Sequence, residues 1–295
     1  MSELKCFVIG HSESDLPVIP SLTGILAGGS SLSALTDGSG DNIANKNPLM
    51  NEMTAIYWLW KHYDEIGSPS HILVEQYRRL FLPFGKHNYY ESVSLGEREK
   101  RAASFEGRTA EDVLKGRDIA APFPLKCRSV ARQYSMAHGE SDLRLATEII
   151  SELTPEYAGA AKNYLGGNAC YLYNMFLFDR DTFMRYAEWM FTVLFEFEKR
   201  RETTGRFYIS ERLTGIFFKK LEEEGKTCRH LPVLFVTGKR ESLKSCIAKF
   251  FAALKEGRGL RAAVRPLVVK LLPKNLWMAR KRRIFFSEKE LEHVE

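Results

Sequence analysis

The chain has 295 residues, 44% of them hydrophobic and 27% charged, which suits a globular protein able to bury a substantial core as one large domain or one domain with an appendage. Apolar residues nowhere run long enough to predict a spanning helix, and the apolar run 6–9 is too short for a signal-peptide core, so no export is expected. The net charge of +6 is concentrated after residue 238, where fifteen Lys and Arg face six Asp and Glu, and no recognition motif accompanies it, which argues against a nucleic-acid binder.

Cys6-Phe7-Val8-Ile9 reads as a buried first strand that ends in Gly10-His11. Ligands gather at the carboxyl ends of strands in open α/β sheets, so His11 either meets a ligand or merely caps a turn. Residues 12–33 read as loop-rich, punctuated by Pro17, Pro20, Gly28 and Gly29. The small residues between Asp37 and Asp41 let the backbone approach a partner closely. Asn47 as N-cap and Pro48 as first helical residue predict a helix whose Leu49, Met53, Ile56, Trp60 and Tyr63 share one apolar face until Gly67 ends it. Its N-terminus is a ready anion site, and Glu52, at the edge of the stripe, needs a partner or a task.

Residues 70–74 read as a second core strand, followed by Tyr77-Arg78-Arg79, where two adjacent arginines leave a buried strand. Residues 82–117 lack long apolar periodicity and read as a mobile insertion or lid. An extended segment at 121–124 and an amphipathic helix at 141–153 follow, with Leu143, Leu145, Ile149 and Ile150 facing inward. The run 170–178 reads as a central strand in which a buried Asn174 must hydrogen-bond, to backbone or to a ligand hydroxyl. Asp179-Arg180-Asp181 has the D-x-D form that can hold Mn or Mg against a diphosphate, yet Asp181 as cap of a helix over 182–200 explains it sufficiently. A helix starts at Ser210 with Glu211 in its first turn, where the helix dipole favours a carboxylate and keeps its pKa low, and 231–236 reads as a last strand. Five cysteines and seven histidines are scattered, without metal-ligand spacing.

Several words taken together carry a resemblance: Gly40-Asp41-Asn42-Ile43-Ala44-Asn45-Lys46-Asn47-Pro48, Asn51-Glu52-Met53-Thr54-Ala55-Ile56-Tyr57-Trp58-Leu59-Trp60-Lys61, Tyr77-Arg78-Arg79, Leu172-Tyr173-Asn174-Met175-Phe176 and Ser210-Glu211-Arg212-Leu213. They resemble the bacterial capsule and O-antigen glycosyltransferases long filed as a domain of unknown function, whose characterised members are galactofuranosyltransferases. The resemblance spans roughly residues 4–236. It implies an α/β, GT-A-like Rossmann-type nucleotide-binding fold with added helices, in a domain 1–238; the basic helical tail at 239–295 lies outside the resemblance and is read from its residues alone. The implied reaction moves a hexose, galactofuranose from UDP-galactofuranose, onto a lipid-linked glycan with inversion. A non-catalytic carbohydrate- or nucleotide-binding accessory protein of the same machinery is the alternative.

On that reading Asp37, Asp41 and Asn42 hold ribose or sugar hydroxyls, and His11, Glu52, Tyr77 and Asn174 complete the donor side. Arg78 and Arg79 stabilise the leaving diphosphate, because guanidinium binds phosphate in a two-pronged fork. Glu211 is the base. No cofactor is required, although Mn or Mg remains open, with Asp179 and Asp181 as the alternative metal site. The chain departs from the family in having Gln76 where a His is usual before Tyr-Arg-Arg, so proton transfer there is in doubt, and in a shorter segment before Ser210. In the tail, Ile247, Phe250, Phe251, Leu254 and later Leu271, Leu272 and Trp277 interleave with Lys and Arg. That pattern suits an anionic bilayer surface, hence a cytoplasmic protein peripheral to the inner face of the membrane, or else a helical pair packed on the domain.

Overall fold

The computed structural model describes residues 3–29, 31, 33–85, 90–94, 97–99, 105–202 and 204–237. The amphipathic tail expected at 239–295 lies outside the described residues.

The first half of the chain runs β1 (Leu4–Gly10), β2 (Thr23–Leu26), β3 (Leu35–Thr36), α1 (Asn47–Met50), α2 (Met53–Lys61), β4 (His71–Gln76), β5 (Arg79–Phe81) and β6 (Tyr90–Ser94). Then come α3 (Ala110–Leu114), β7 (Ile119–Pro122), β8 (Leu125–Lys126), α4 (Val130–His138), α5 (Ser141–Leu153), α6 (Ala158–Gly166), β9 (Ala169–Cys170) and β10 (Phe176–Asp179). The chain continues through α7 (Arg180–Arg200), α8 (Ser210–Glu223), β11 (Cys228–Leu231) and β12 (Val233–Thr237).

The main sheet has the order β11-β7-β10-β4-β1-β2-β3, and β12 extends it by pairing with β5 and β6. β1 lies parallel to both β2 and β4, with Phe7 opposite Thr23 and Val74, while β10 inserts antiparallel between β4 and β7. β1 alternates across the sheet as period-two geometry demands. Phe7 and Ile9 join the large core under the helices, and Cys6 and Val8 join a second core on the other face with Leu73, Phe81, Val113 and Leu177. Helix α7 supplies much of the large core, since Phe183, Tyr186, Met190, Leu194 and Phe197 are all fully buried.

Several sequence expectations need correction. The helix expected from Pro48 to Tyr63 is two helices broken at Asn51, whose φ of 50° and ψ of −130° no helix accommodates. Asn47 does not cap: its Nδ2 donates to Asn51 O at 2.8 Å and to Thr54 Oγ1 at 3.2 Å, bracing the break instead. The run 170–178 is not one strand either, because residues 171–175 leave the sheet between β9 and β10. The cap of α7 is Asp179, whose Oδ1 accepts from Thr182 N at 2.7 Å, and Asp181 stands in the first turn. Residues 12–33 contribute β2, which the Pro and Gly content concealed. The expected last strand divides at Pro232 into β11 and β12, and within 82–117 both β6 and α3 are built into the fold.

Glu75 is an unexpected occupant of the second core. It is fully buried near the end of β4, accepts a hydrogen bond from Phe81 N and so pins the last residue of β5, while its Oε2 has no partner among the described residues. Desolvation pushes its pKa from 4.5 up to about 8, partly offset by the Phe81 N–H. The folded state therefore holds a proton that the unfolded chain releases, so the associated stability is complete below pH 4.5 and is lost as pH rises through about 8. At pH 7 the loss is on the order of 3 kcal/mol. Glu75→Gln, which cannot ionise, is expected to raise the melting temperature at pH 8 by several degrees and to leave it little changed at pH 5. A variant with the wild-type dependence on pH would show that Glu75 is not the group responsible.

Candidate active site

The carboxyl ends of β1, β2, β3 and β4 bring the first group of residues together. Gly28 has φ +65°, and a Cβ there would lie 2.4 Å from Asn47 Cβ, so only glycine lets the loop after β2 close on the broken helix. Asp37, just past β3, is buried and accepts the Gly28 N–H on both oxygens, at 2.8 and 2.9 Å. Burial raises its pKa, opposed by the Thr54 hydroxyl, the Gly28 N–H and nearby His11. His11 is exposed and meets the Tyr77 ring edge-on at 5.9 Å, and the Arg78 guanidinium lies 4.7 Å over that ring. Together they form an open rim of one imidazole, one phenol and one cation above a buried carboxylate.

A second group meets beside this rim. The break at Asn51 places Glu52 where its Oε1 accepts from Gln76 Nε2 and from Asn174 Nδ2, both at 2.8 Å. Gln76 turns its other end to Arg79, whose Nη1 donates to Gln76 Oε1 at 2.6 Å. The Arg79 guanidinium lies 4.6 Å over the Tyr173 ring and its buried Nε has no partner, while Nη2 makes no hydrogen bond among the described residues. Asn174 also donates to Ser210 Oγ at 3.1 Å and accepts from Thr214 Oγ1 at 2.6 Å, and Tyr186 OH lies 2.8 Å from that hydroxyl. Each hydrogen-bonding end of the two amides is occupied, which fixes Glu52 and Arg79 against rotation.

The Asn174 bonds tie this network to the start of α8. Glu211 follows Ser210, and its side chain keeps 28% of its surface exposed. Protein nonetheless encloses the carboxyl enough to push its pKa from 4.5 up to about 8. Burial is the main cause and Glu52 adds to it, while Arg212 and Arg79 pull the other way without prevailing. The expectation that the helix dipole holds Glu211 low is therefore overturned: desolvation outweighs it. Arg212 is buried, with its Nη1 3.8 Å from Glu211 Oε2. It donates to Tyr171 O at 2.6 Å and Gln133 Oε1 at 2.9 Å. The Cys170 thiol is lowered to about 7 by a hydrogen bond with Cys127 and by the Arg212 charge.

Of the residues singled out from sequence, Glu52, Arg79, Asn174 and Glu211 thus converge, and His11, Asp37, Tyr77 and Arg78 line the adjoining rim. Asn42 does something else: its Nδ2 donates to Gly40 O at 2.9 Å and its Oδ1 accepts from Ala44 N, so it shapes its own loop. Asp41 accepts from Tyr57 OH at 3.0 Å through Oδ1, and its carbonyl meets His62 Nε2 at the same distance. Asp179 pairs with His71, at the opposite end of β4 from Gln76, so the D-x-D lies roughly 17 Å from the network at strand rise. Among the described residues no group of three or more His, Cys, Asp or Glu could hold a metal ion, and no helix is long and apolar enough to cross a membrane. The sequence places Ser210 only as a helix start and does not single out Thr214 or Gln133, yet all three hold site residues in place. The i, i+4 spacing of Ser210 and Thr214 on one helix was the available signal for the first two.

A parallel-dominated sheet covered by helices, with its polar residues gathered at the carboxyl ends of its strands, defines an α/β protein of the GT-A-like, Rossmann-type class. The apo structure of the bifunctional glycosyltransferase WbbM superimposes with a TM-score of 0.70 at 24% identity over 80% of this chain and 45% of that one, so this chain spans less than half of it. Residues 5–222 match the family described as "Domain of unknown function (DUF4422)", and the chain belongs to it. No curated protein matches the sequence.

Proposed function

We propose that this protein is an inverting glycosyltransferase that moves a hexose, galactofuranose from UDP-galactofuranose, onto a lipid-linked glycan. The observation that carries the reading is the meeting of a desolvated carboxyl, Glu211, with Glu52 and a braced Arg79 beside the Asp37 rim. The acceptor hydroxyl gives its proton to Glu211 as its oxygen bonds to the anomeric carbon. The bond from that carbon to the diphosphate oxygen breaks, and the electron pair leaves with the diphosphate, whose charge Arg79 and Arg78 stabilise. Asp37, His11 and Tyr77 are the groups for ribose and base, and the bound Glu52 is the group for a sugar hydroxyl on the donor. Its likeness to a glycosyltransferase structure and the resemblance of its sequence words support the same reading.

The test is incubation with UDP-hexoses, UDP-galactofuranose among them, and galactose-terminated acceptors, with detection of UDP and of the lengthened glycan. UDP binding without turnover on any pair would instead favour the accessory reading. The tail is proposed to bring the protein to the anionic cytoplasmic leaflet, each Lys or Arg adding about 1 kcal/mol near the surface. Removing residues 239–295 should abolish pelleting with anionic liposomes. Equal pelleting of both forms would show that the tail is not the anchor.

A further inference from the structure

Tyr208 is 45% exposed although both its neighbours are buried, Phe207 to 4% and Ile209 completely. The segment is held on both sides. Phe207 N donates to Leu49 O at 2.7 Å, its ring packs edge-on against Phe197 at 5.3 Å, and Arg201 covers it at 5.1 Å while donating to Gly205 O at 2.6 Å. With those anchors fixed, the Tyr208 ring is forced outward. One of its faces lies flat on the His138 ring, at 4.3 Å and 15°. His138 in turn contacts the buried Tyr134 at 5.0 Å, and Tyr134 lies under Arg212, the neighbour of Glu211. His138 is itself partly open to solvent, yet its pKa is lowered, by partial burial first and by Arg212 second, so at neutral pH its ring backs Tyr208 as an uncharged aromatic surface.

A rigid aromatic with one face supported and the other in solvent suits a ligand that is apolar on one side and hydroxylated at its rim. Aromatic side chains give such contacts at a small entropy cost, having few rotatable bonds. Sugar rings have that character. Tyr208 is three residues from Glu211, which holds their Cα atoms to at most about 10 Å apart, and the Tyr134 beneath His138 feels the Glu211 charge.

We infer that Tyr208, backed by His138, is the acceptor-side platform: a sugar ring of the acceptor glycan stacks on it and is thereby presented to Glu211. The inference rests on the glycosyl-transfer reading above, and binding alone can test it separately. In turnover assays Tyr208→Ala should raise KM for a galactose-terminated acceptor about tenfold, with kcat at saturating acceptor and KM for the donor within twofold of wild type. Tyr208→Phe, which keeps the ring, should restore the wild-type KM. In saturation-transfer NMR with methyl β-D-galactopyranoside and no donor, wild type and Tyr208→Phe should give signal on the apolar sugar face that Tyr208→Ala loses. The exposed position lets both variants fold as wild type does, which circular dichroism checks. Equal sugar signal from Tyr208→Ala, no signal from wild type at tens of millimolar, or an unchanged acceptor KM would overturn the platform. Absence of turnover with the NMR pattern intact would instead remove the transfer reaction and leave a sugar-binding surface.

Discussion

Glu211→Gln is expected to lower kcat by about a hundredfold or more while UDP binding stays within a few-fold of wild type. The amide keeps the size and the helix position but cannot take a proton. Wild-type activity should climb as pH rises and level off above about 8, because the base works only after its own proton has left and the cleft holds that proton unusually tightly. Burial is the larger cause and the Glu52 charge the smaller, so Glu52→Gln should move the rising limb toward lower pH as well as weaken donor binding. The residual activity of Glu211→Gln should lack that limb. Activity within a few-fold of wild type, or a limb near pH 4.5, would take Glu211 out of the proton transfer.

The sequence reading went furthest where chain neighbours share a task and least where the fold brings distant residues together. Glu211 lies in a recognisable word at a helix start, and the apolar spacing of α7 is that of the buried face observed. The helix start alone predicts the wrong sign for the Glu211 pKa shift, because the dipole is local to the helix whereas desolvation comes from the fold, which also brings Glu52, Arg79 and Cys170 within electrostatic range. The break itself was hidden. Asn47-Pro48 is a persuasive helix start, and nothing local announces that Asn51 leaves helical geometry to bring Glu52 under Gln76 and Asn174. A buried Asn174 leads one to expect a backbone or a ligand partner, and its partners are the side chains of Glu52, Ser210 and Thr214. Gln76 gains meaning only from three dimensions. An amide can donate to Glu52 with one end and accept from Arg79 with the other, so a residue that cannot titrate still connects a carboxylate to a cation.

That connection makes Arg79 the second residue whose loss should be severe. Its guanidinium does two things at once: Nη1 meets Gln76 while the plane rests on Tyr173, so that, on the proposed mechanism, Nη2 is the donor left for the leaving diphosphate. A lysine ammonium is a point charge on a flexible stem and cannot hold the amide, stack on the phenol and aim a second donor together. Arg79→Lys should therefore reduce kcat/KM by about a hundredfold, close to the loss of one donor to a developing anion, although the formal charge is kept. Arg78 is exposed, and among the described residues its guanidinium meets the Tyr77 ring without a hydrogen bond, so Arg78→Lys should cost far less. If the two arginines carry the leaving-group charge, wild-type turnover should survive EDTA. Loss of activity in EDTA with recovery on adding manganese, together with a mild Arg79→Lys, would transfer that role to a divalent ion and leave Arg79 as a brace for Glu52.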